Sequence, residues 1–432
     1  MSAPALKSQR RRVAVTGVGF ITSIGNDKAA VERSLRELRH GLERVDLAGP
    51  DRPMAVKVAG TIKEFDTASP FWSKWTYPAA YSFAPATLRS VPPHGLYALC
   101  AAEQAIADAG LTREQVGDEA TALFCSSAGS ASMLRHYLNA MHATPDLRGS
   151  PLSLVSSVAG TLNFNLGTYF QIRGANCGFV SACASSAHAL GYAHDEISLG
   201  RFERVIVVGA EDLTVDCVLP FMSMKALSAS DDPDRASRPF DRKRDGFVCS
   251  GGAVVVILES AETAAARHVR PYAELLGWGQ SSDGFNIAMP QPEGEGLVRA
   301  MRRALRACAL EPRAVGYVNA HATSTPQGDR AEALALREVF GRAGARPLIS
   351  STKGLTGHPL STAGAMEAGF CALALRGGFV PGNAHLEEPE PACEGLDLPR
   401  TTLERAPGVV MSNSSGFGGS NVALLLGLWS RA

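Results

Sequence analysis

The chain has 432 residues, with 42 Lys plus Arg balancing 42 Asp plus Glu, so its formal net charge is zero. That length points to two or three domains or one large duplicated one, and the balance gives no support to a general binder of nucleic acid or anionic membranes. Nine cysteines, an odd number without a C-x-x-C pair or metal-like Cys/His spacing, read as neither a disulfide framework nor a metal site, and fit a reducing, cytoplasmic compartment.

Residues 1–12 form a polar tail ending Arg10-Arg11-Arg12. The next apolar run, Val13 to Ile24, is broken by Gly17 and Gly19, so it is no secretory core. No stretch is long and apolar enough to span a bilayer. Strands are predicted at Val13–Thr16, Ala122–Cys125, Val205–Val208, Ala253–Leu258, Val315–Val318 and Val422–Leu426, all rich in Val and Ile. Helical patterns alternate with them at Ala29–Leu38, Leu96–Ala109, Ser186–Leu199, Gly296–Ala309 and Ala331–Phe340. This rhythm predicts an α/β architecture. Two helices, Ala184–Ala193 and Ser361–Ala372, are poor in large side chains and suit burial against other backbones. The rhythm breaks near Arg267–Pro271, before a strand-like run Tyr272–Trp278. The Trp- and Pro-rich segment Phe65–His94 reads as a long ordered surface loop, with a lid or docking surface as the sharper alternative.

The first motif, Val13-Ala-Val-Thr-Gly17-Val-Gly19-Phe-Ile-Thr22, lacks the third glycine and the downstream acid of a dinucleotide fingerprint, and reads instead as a tight turn after a strand. Cys183, in Phe179-Val-Ser-Ala-Cys-Ala-Ser-Ser-Ala-His188, lies where an apolar run gives way to a small-residue helix. A thiol there feels the positive end of the helix dipole, which favours thiolate, although buried cysteines are more often inert. His321, in Asn319-Ala-His-Ala-Thr323-Ser-Thr325-Pro, follows a strand, where α/β sheets place their chemistry. The threonines offer hydrogen bonds to an amide-rich ligand, while Asp329 and Glu332 also fit a capping box. Lys353 and His358 share the loop Thr352-Lys-Gly-Leu-Thr-Gly-His, and a lysine there needs a partner, for which Glu332 is a candidate. The run Ser412-Asn-Ser-Ser415-Gly-Phe417-Gly-Gly-Ser-Asn421 reads as a hairpin or a backbone that approaches a ligand.

Taken in order, these runs and Arg238-Pro-Phe-Asp-Arg-Lys-Arg-Asp-Gly-Phe-Val resemble the β-ketoacyl-acyl-carrier-protein synthases, from about Val13 to Leu428 and nearer type I than type II. The resemblance implies a thiolase-like α/β fold, two similar halves in five alternating α-β-α-β-α layers, split as 13–269 and 270–432 and assembled as a homodimer. It implies that Cys183 carries the acyl chain as a thioester, that His321 and His358 hold the malonyl thioester carbonyl, and that Lys353 and Glu332 support them as a pair. Thr323 and Thr325 would contact the phosphopantetheine arm, and Phe417 would be a gate whose N–H forms the oxyanion hole with that of Cys183. Phe221, Cys217 and Ser415 would shape the acyl pocket, and Arg89 and Arg148 would meet the acyl carrier protein. No metal and no bound cofactor are implied. Ser415 stands where an aromatic residue is usual in the family, and Ala322 where glycine is. A polyketide or specialised-lipid synthase, a non-catalytic partner subunit and a Cys-His hydrolase are the alternative readings.

Overall fold

The computed structural model describes residues 10–49 and 51–430. Twelve strands appear in chain order: β1 (Val13–Ile21), β2 (Leu42–Arg44), β3 (Val58–Gly60), β4 (Thr121–Ser126), β5 (Asn176–Phe179), β6 (Arg204–Glu211), β7 (Gly252–Ser260), β8 (Ala273–Ser282), β9 (Tyr317–Asn319), β10 (Leu348–Ser350), β11 (Val409–Gly416) and β12 (Ser420–Gly427). Ten of them lie in the order β10-β9-β11-β12-β8-β1-β7-β6-β4-β5, and β2 and β3 pair separately. Outward from the β1–β8 junction, each half repeats one rule: first strand, fifth, fourth, second, third. The same topology is thus built twice, and the halves are stitched where Ala14 faces Glu274 and Val15 faces Ala273.

The continuous apolar strands make layers on both faces because successive side chains point in opposite directions. In β4, Ala122 and Phe124 join the central core, whereas Leu123 and Cys125 join an outer one packed on the Pro93–Asp108 and Thr161–Phe170 helices. In β12, Val422 and Leu424 face the centre, while Ala423 and Leu425 face the Glu295–Ala307 and Pro326–Leu336 helices. The central layer is the pair of small-residue helices, now bounded at Ser185–Ser198 and Ala363–Gly377. Their composition has a steric cause. A Cβ on Gly364 would stand 2.4 Å from Ala187 N, so the axes approach too closely for larger side chains. The result is five alternating layers.

One expectation changes. Gly17 and Gly19 are not in a turn but inside β1, where a Cβ on them would meet Ala105 O at 2.5 Å and Ala101 O at 1.9 Å. Their role is to let the Pro93–Asp108 helix lie on the strand. Phe65–His94 is an ordered cover with a 3₁₀ turn, Trp72–Lys74, and a short helix, Pro85–Leu88. Trp75 and Phe83 are buried against the outer core, and Trp75 Nε1 donates to Ser69 O at 2.7 Å.

Candidate active site

Cys183 follows β5 and precedes the Ser185–Ser198 helix in a strained turn. Ala182 holds φ 51°, a left-handed conformation that costs a non-glycine residue energy. Ser185 pins the turn: its Oγ accepts from Ser181 N at 2.8 Å and donates to Ala182 O at 2.6 Å. The β11–β12 hairpin closes over this backbone. A Cβ on Gly416 would stand 2.7 Å from Ser181 O and 3.1 Å from Cys183 N, so glycine is what lets the hairpin lie on this turn.

His358 follows the short Lys353–Thr356 helix through Gly357 at φ 71°. Its backbone is fixed by His358 N donating to Val248 O at 2.7 Å and by Ser250 N donating to His358 O at 3.1 Å. Its Nε2 lies 3.0 Å from Cys183 Sγ. The His321 ring stands 5.4 Å from that of His358, edge to face. The structure therefore brings Cys183 and both histidines together, although 175 and 37 positions separate His358 from Cys183 and from His321 in sequence.

The expected Lys353–Glu332 pair is corrected. Lys353 Nζ bonds Glu367 Oε1, from the central Ala363–Gly377 helix, and both residues are buried. Glu332 instead accepts from His321 N at 3.0 Å, Ala322 N at 2.7 Å and Asn413 Nδ2 at 3.1 Å, so it fixes the histidine loop. The capping box is also corrected. Asp329 and Glu332 lie within the Pro326–Leu336 helix, and Asp329 accepts from Phe240 N and Ser324 N.

Burial sets the electrostatics. It pushes the Cys183 thiol up to about 12, with the charge of Lys353 pulling the other way. The thiolate expected from the helix dipole is thus opposed by desolvation, and the resting group is a thiol. Burial and Lys353 hold His321 and His358 well below the usual imidazole value, so both rings are neutral. Nδ1 of each is buried without a partner among the described residues. Burial pushes Glu367 up to about 7 against Lys353.

A cavity of about 300 Å³ opens beside Cys183, lined by Cys217, Phe221, Leu360 and Phe417 among others. Phe417 is half-exposed at the hairpin tip, its ring 6.0 Å from Phe221. Ser415 does not line this cavity: its Oγ donates to Asn421 Oδ1 at 2.7 Å. Thr323 and Thr325 follow His321, their hydroxyls 3.1 Å apart. Ser324 is turned inward and occupied by Arg238 N. Arg89 and Arg148 are exposed and away from the cavity wall, and Arg148 pairs with Asp146. Glu367, Glu211, Asp212 and His94 are the site-proximal polar groups that sequence reading missed. Glu367 carried a signal, as the lone charge in Ala363–Leu375.

This geometry has counterparts. Residues 10–264 match the family model for the beta-ketoacyl synthase N-terminal domain, and residues 272–387 match that for the C-terminal domain. The chain belongs to the β-ketoacyl synthase family. It is 39% identical to 3-oxoacyl-[acyl-carrier-protein] synthase 1 of Haemophilus influenzae, over 96% of this chain and 98% of that protein. It is 37% identical to the Escherichia coli K12 enzyme of the same name, over 96% and 98%. A crystal structure of a beta-ketoacyl synthase from Burkholderia phymatum superposes with a TM-score of 0.88 at 31% identity, covering 97% of this chain and all of that one.

Proposed function

We propose that this chain is a 3-oxoacyl-acyl-carrier-protein synthase that extends fatty acyl chains by decarboxylative condensation. The observation that carries the reading is His358 Nε2 at 3.0 Å from Cys183 Sγ, with a second neutral imidazole against it. The thiol of Cys183 gives up its proton as sulfur attacks the acyl thioester, and the carrier's thiol leaves protonated. Splitting one difficult step into two is the gain of covalent catalysis. The malonyl thioester then loses carbon dioxide, and the electron pair of the broken bond passes into an enolate. Its oxygen needs donors that are not themselves strong acids, which two neutral imidazoles supply. The enolate carbon attacks the acyl carbonyl on Cys183, sulfur departs and takes up a proton from solvent to restore the resting thiol, and the 3-oxoacyl chain leaves on the carrier. A neutral Cys-His pair also suits hydrolysis, but the second histidine and the buried lysine favour condensation.

The substrates arrive on the phosphopantetheine of acyl carrier protein, which Thr323 and Thr325 would meet beside His321 and whose acidic surface Arg89 and Arg148 would meet. No bound cofactor takes part. A division near residue 270 is supported by the repeated strand order and by family models that end at 264 and begin at 272. A homodimer is supported by β5, which ends the sheet with an exposed Asn176–Phe179 strand that a second copy would cover. Val180, next to it, lines the acyl cavity and is 72% exposed. No helix among the described residues is long and apolar enough to cross a membrane, and a cytoplasmic enzyme fits the nine free thiols. Acyl- and malonyl-carrier protein incubated with wild type and with Cys183→Ala test the activity. The 3-oxoacyl product from wild type alone supports it, and equal product from both refutes it. Sedimentation equilibrium at twice the chain mass tests the dimer.

A further inference from the structure

At the carboxyl ends of β4 and β6, the cavity beside Cys183 meets a buried polar cluster that condensation does not use. Ser127, Glu211 and Thr214 line the cavity there. His94, fully buried in the first turn of the Pro93–Asp108 helix, stands 3.0 Å from Ser127 Oγ through Nε2. The Asp212 carboxylate accepts from His94 N at 2.9 Å, His94 Nδ1 at 2.8 Å and the Ser130 hydroxyl. Three donors on one carboxylate keep it ionised. An ionised group this deep needs donors or a cation, and His94 faces it through both its backbone N–H and its ring. Burial pulls the imidazole down, but Asp212 outweighs it and raises His94 above its ordinary value.

Protonated, this ring has two N–H donors and no lone pair; neutral, it donates through Nδ1 and accepts through Nε2. Nδ1–H serves Asp212 in either form, so Nε2 donates to Ser127 Oγ in the first and accepts from its O–H in the second. Gly129 N donates to the same oxygen at 3.0 Å. One hydrogen-bonding position of Ser127 Oγ is thus left over in the cavity wall, its O–H in the first form and a lone pair in the second. Thr214 Oγ1, on the same wall, is buried without a partner among the described residues. A purely alkyl chain would leave Thr214 Oγ1 and that position of Ser127 Oγ unpaired.

We propose that this part of the cavity selects acyl chains bearing an oxygen beyond the thioester, a keto or hydroxyl group, with Ser127 as its hydrogen-bond partner and Thr214 as a second. The proposal rests on the ketosynthase reading above and names its substrate class. One buried hydrogen bond gained or forfeited sets a preference of roughly tenfold.

The test compares acyl-carrier proteins of equal chain length, saturated or carrying a keto or hydroxyl group at successive positions, by the rate of Cys183 acylation. Wild type is expected to react about tenfold faster with one of the oxygenated chains. In Ser127→Ala the ratio of the two rates falls towards one, and in Ser127→Thr, which keeps the hydroxyl, it is retained. Thr214→Val gives the same comparison if Ser127→Ala does not fold, with the ratio expected to fall. Equal acylation by saturated and oxygenated chains in wild type overturns this proposal alone. So does a Ser127→Ala variant that slows both chains by one factor. Failure of every chain to acylate Cys183 overturns the ketosynthase reading and this proposal with it.

Discussion

Replacing Glu367 by Gln preserves volume while removing the anion that faces Lys353. The pair is buried on both sides and joined through Oε1 alone, since Oε2 has no partner among the described residues. Removing one member of a buried ion pair costs about 3–5 kcal/mol, because the other charge is left desolvated. The unbonded Oε2 means the carboxylate was itself incompletely satisfied, which places the expected loss near the lower end, about 3 kcal/mol. Urea unfolding followed by fluorescence, carried out above pH 7 where the Glu367 carboxyl is ionised, measures it. The double variant Lys353→Met with Glu367→Leu removes both charges and is expected to recover most of that stability. Its condensation rate should stay low, because Lys353 also acts electrostatically on Cys183, His321 and His358. A Glu367→Gln variant within about 1 kcal/mol of wild type, the cost of a surface pair, would refute the assignment of Glu367 as the partner.

Three further outcomes are expected. Iodoacetamide labelling of Cys183 should rise steadily with pH without levelling near about 8.5, the ordinary thiol value, because burial pushes that thiol up; a plateau there would contradict it. Glu211 is pushed up to about 7 by burial, so the folded chain keeps a proton that the unfolded chain loses from about 4.3 upward. Stability from this group is therefore full below that value and falls as pH rises to about 7; Glu211→Gln should gain on wild type across that window by up to about 3 kcal/mol, and parallel pH–stability curves would count against it. His321→Ala should leave Cys183 acylation intact while slowing condensation by about 100-fold or more, and equal loss of both steps would argue against a role confined to the malonyl unit.

The strands β1, β4, β6, β7, β8, β9 and β12 and the two small-residue helices were legible in sequence because burial on both faces leaves continuous apolar runs and because close axes exclude large side chains, whereas the three-residue β2, β3 and β10 and the polar β11 left no such run. Cys183, His321 and His358 were legible because each stands at the edge of an apolar run. Three things were not. The partner of Lys353 was misread because Glu332 lay in a recognisable loop motif, whereas Glu367 sits in a helix whose other residues are apolar or small. Gly17 and Gly19 looked like turn residues because a close helix crossing leaves the same mark as a turn. The His94–Asp212 pair left no local pattern, because 118 positions separate its members.

The account stands most directly on where the acyl chain resides. Peptide mass mapping after brief exposure to acyl-carrier protein, then to malonyl-carrier protein, reads this in one experiment. The acyl mass is predicted on the peptide containing Cys183 and should vanish on the chase as a 3-oxoacyl-carrier product two carbons longer forms. An acyl mass on another residue, or one on Cys183 that the chase releases only as free acid, would contradict it.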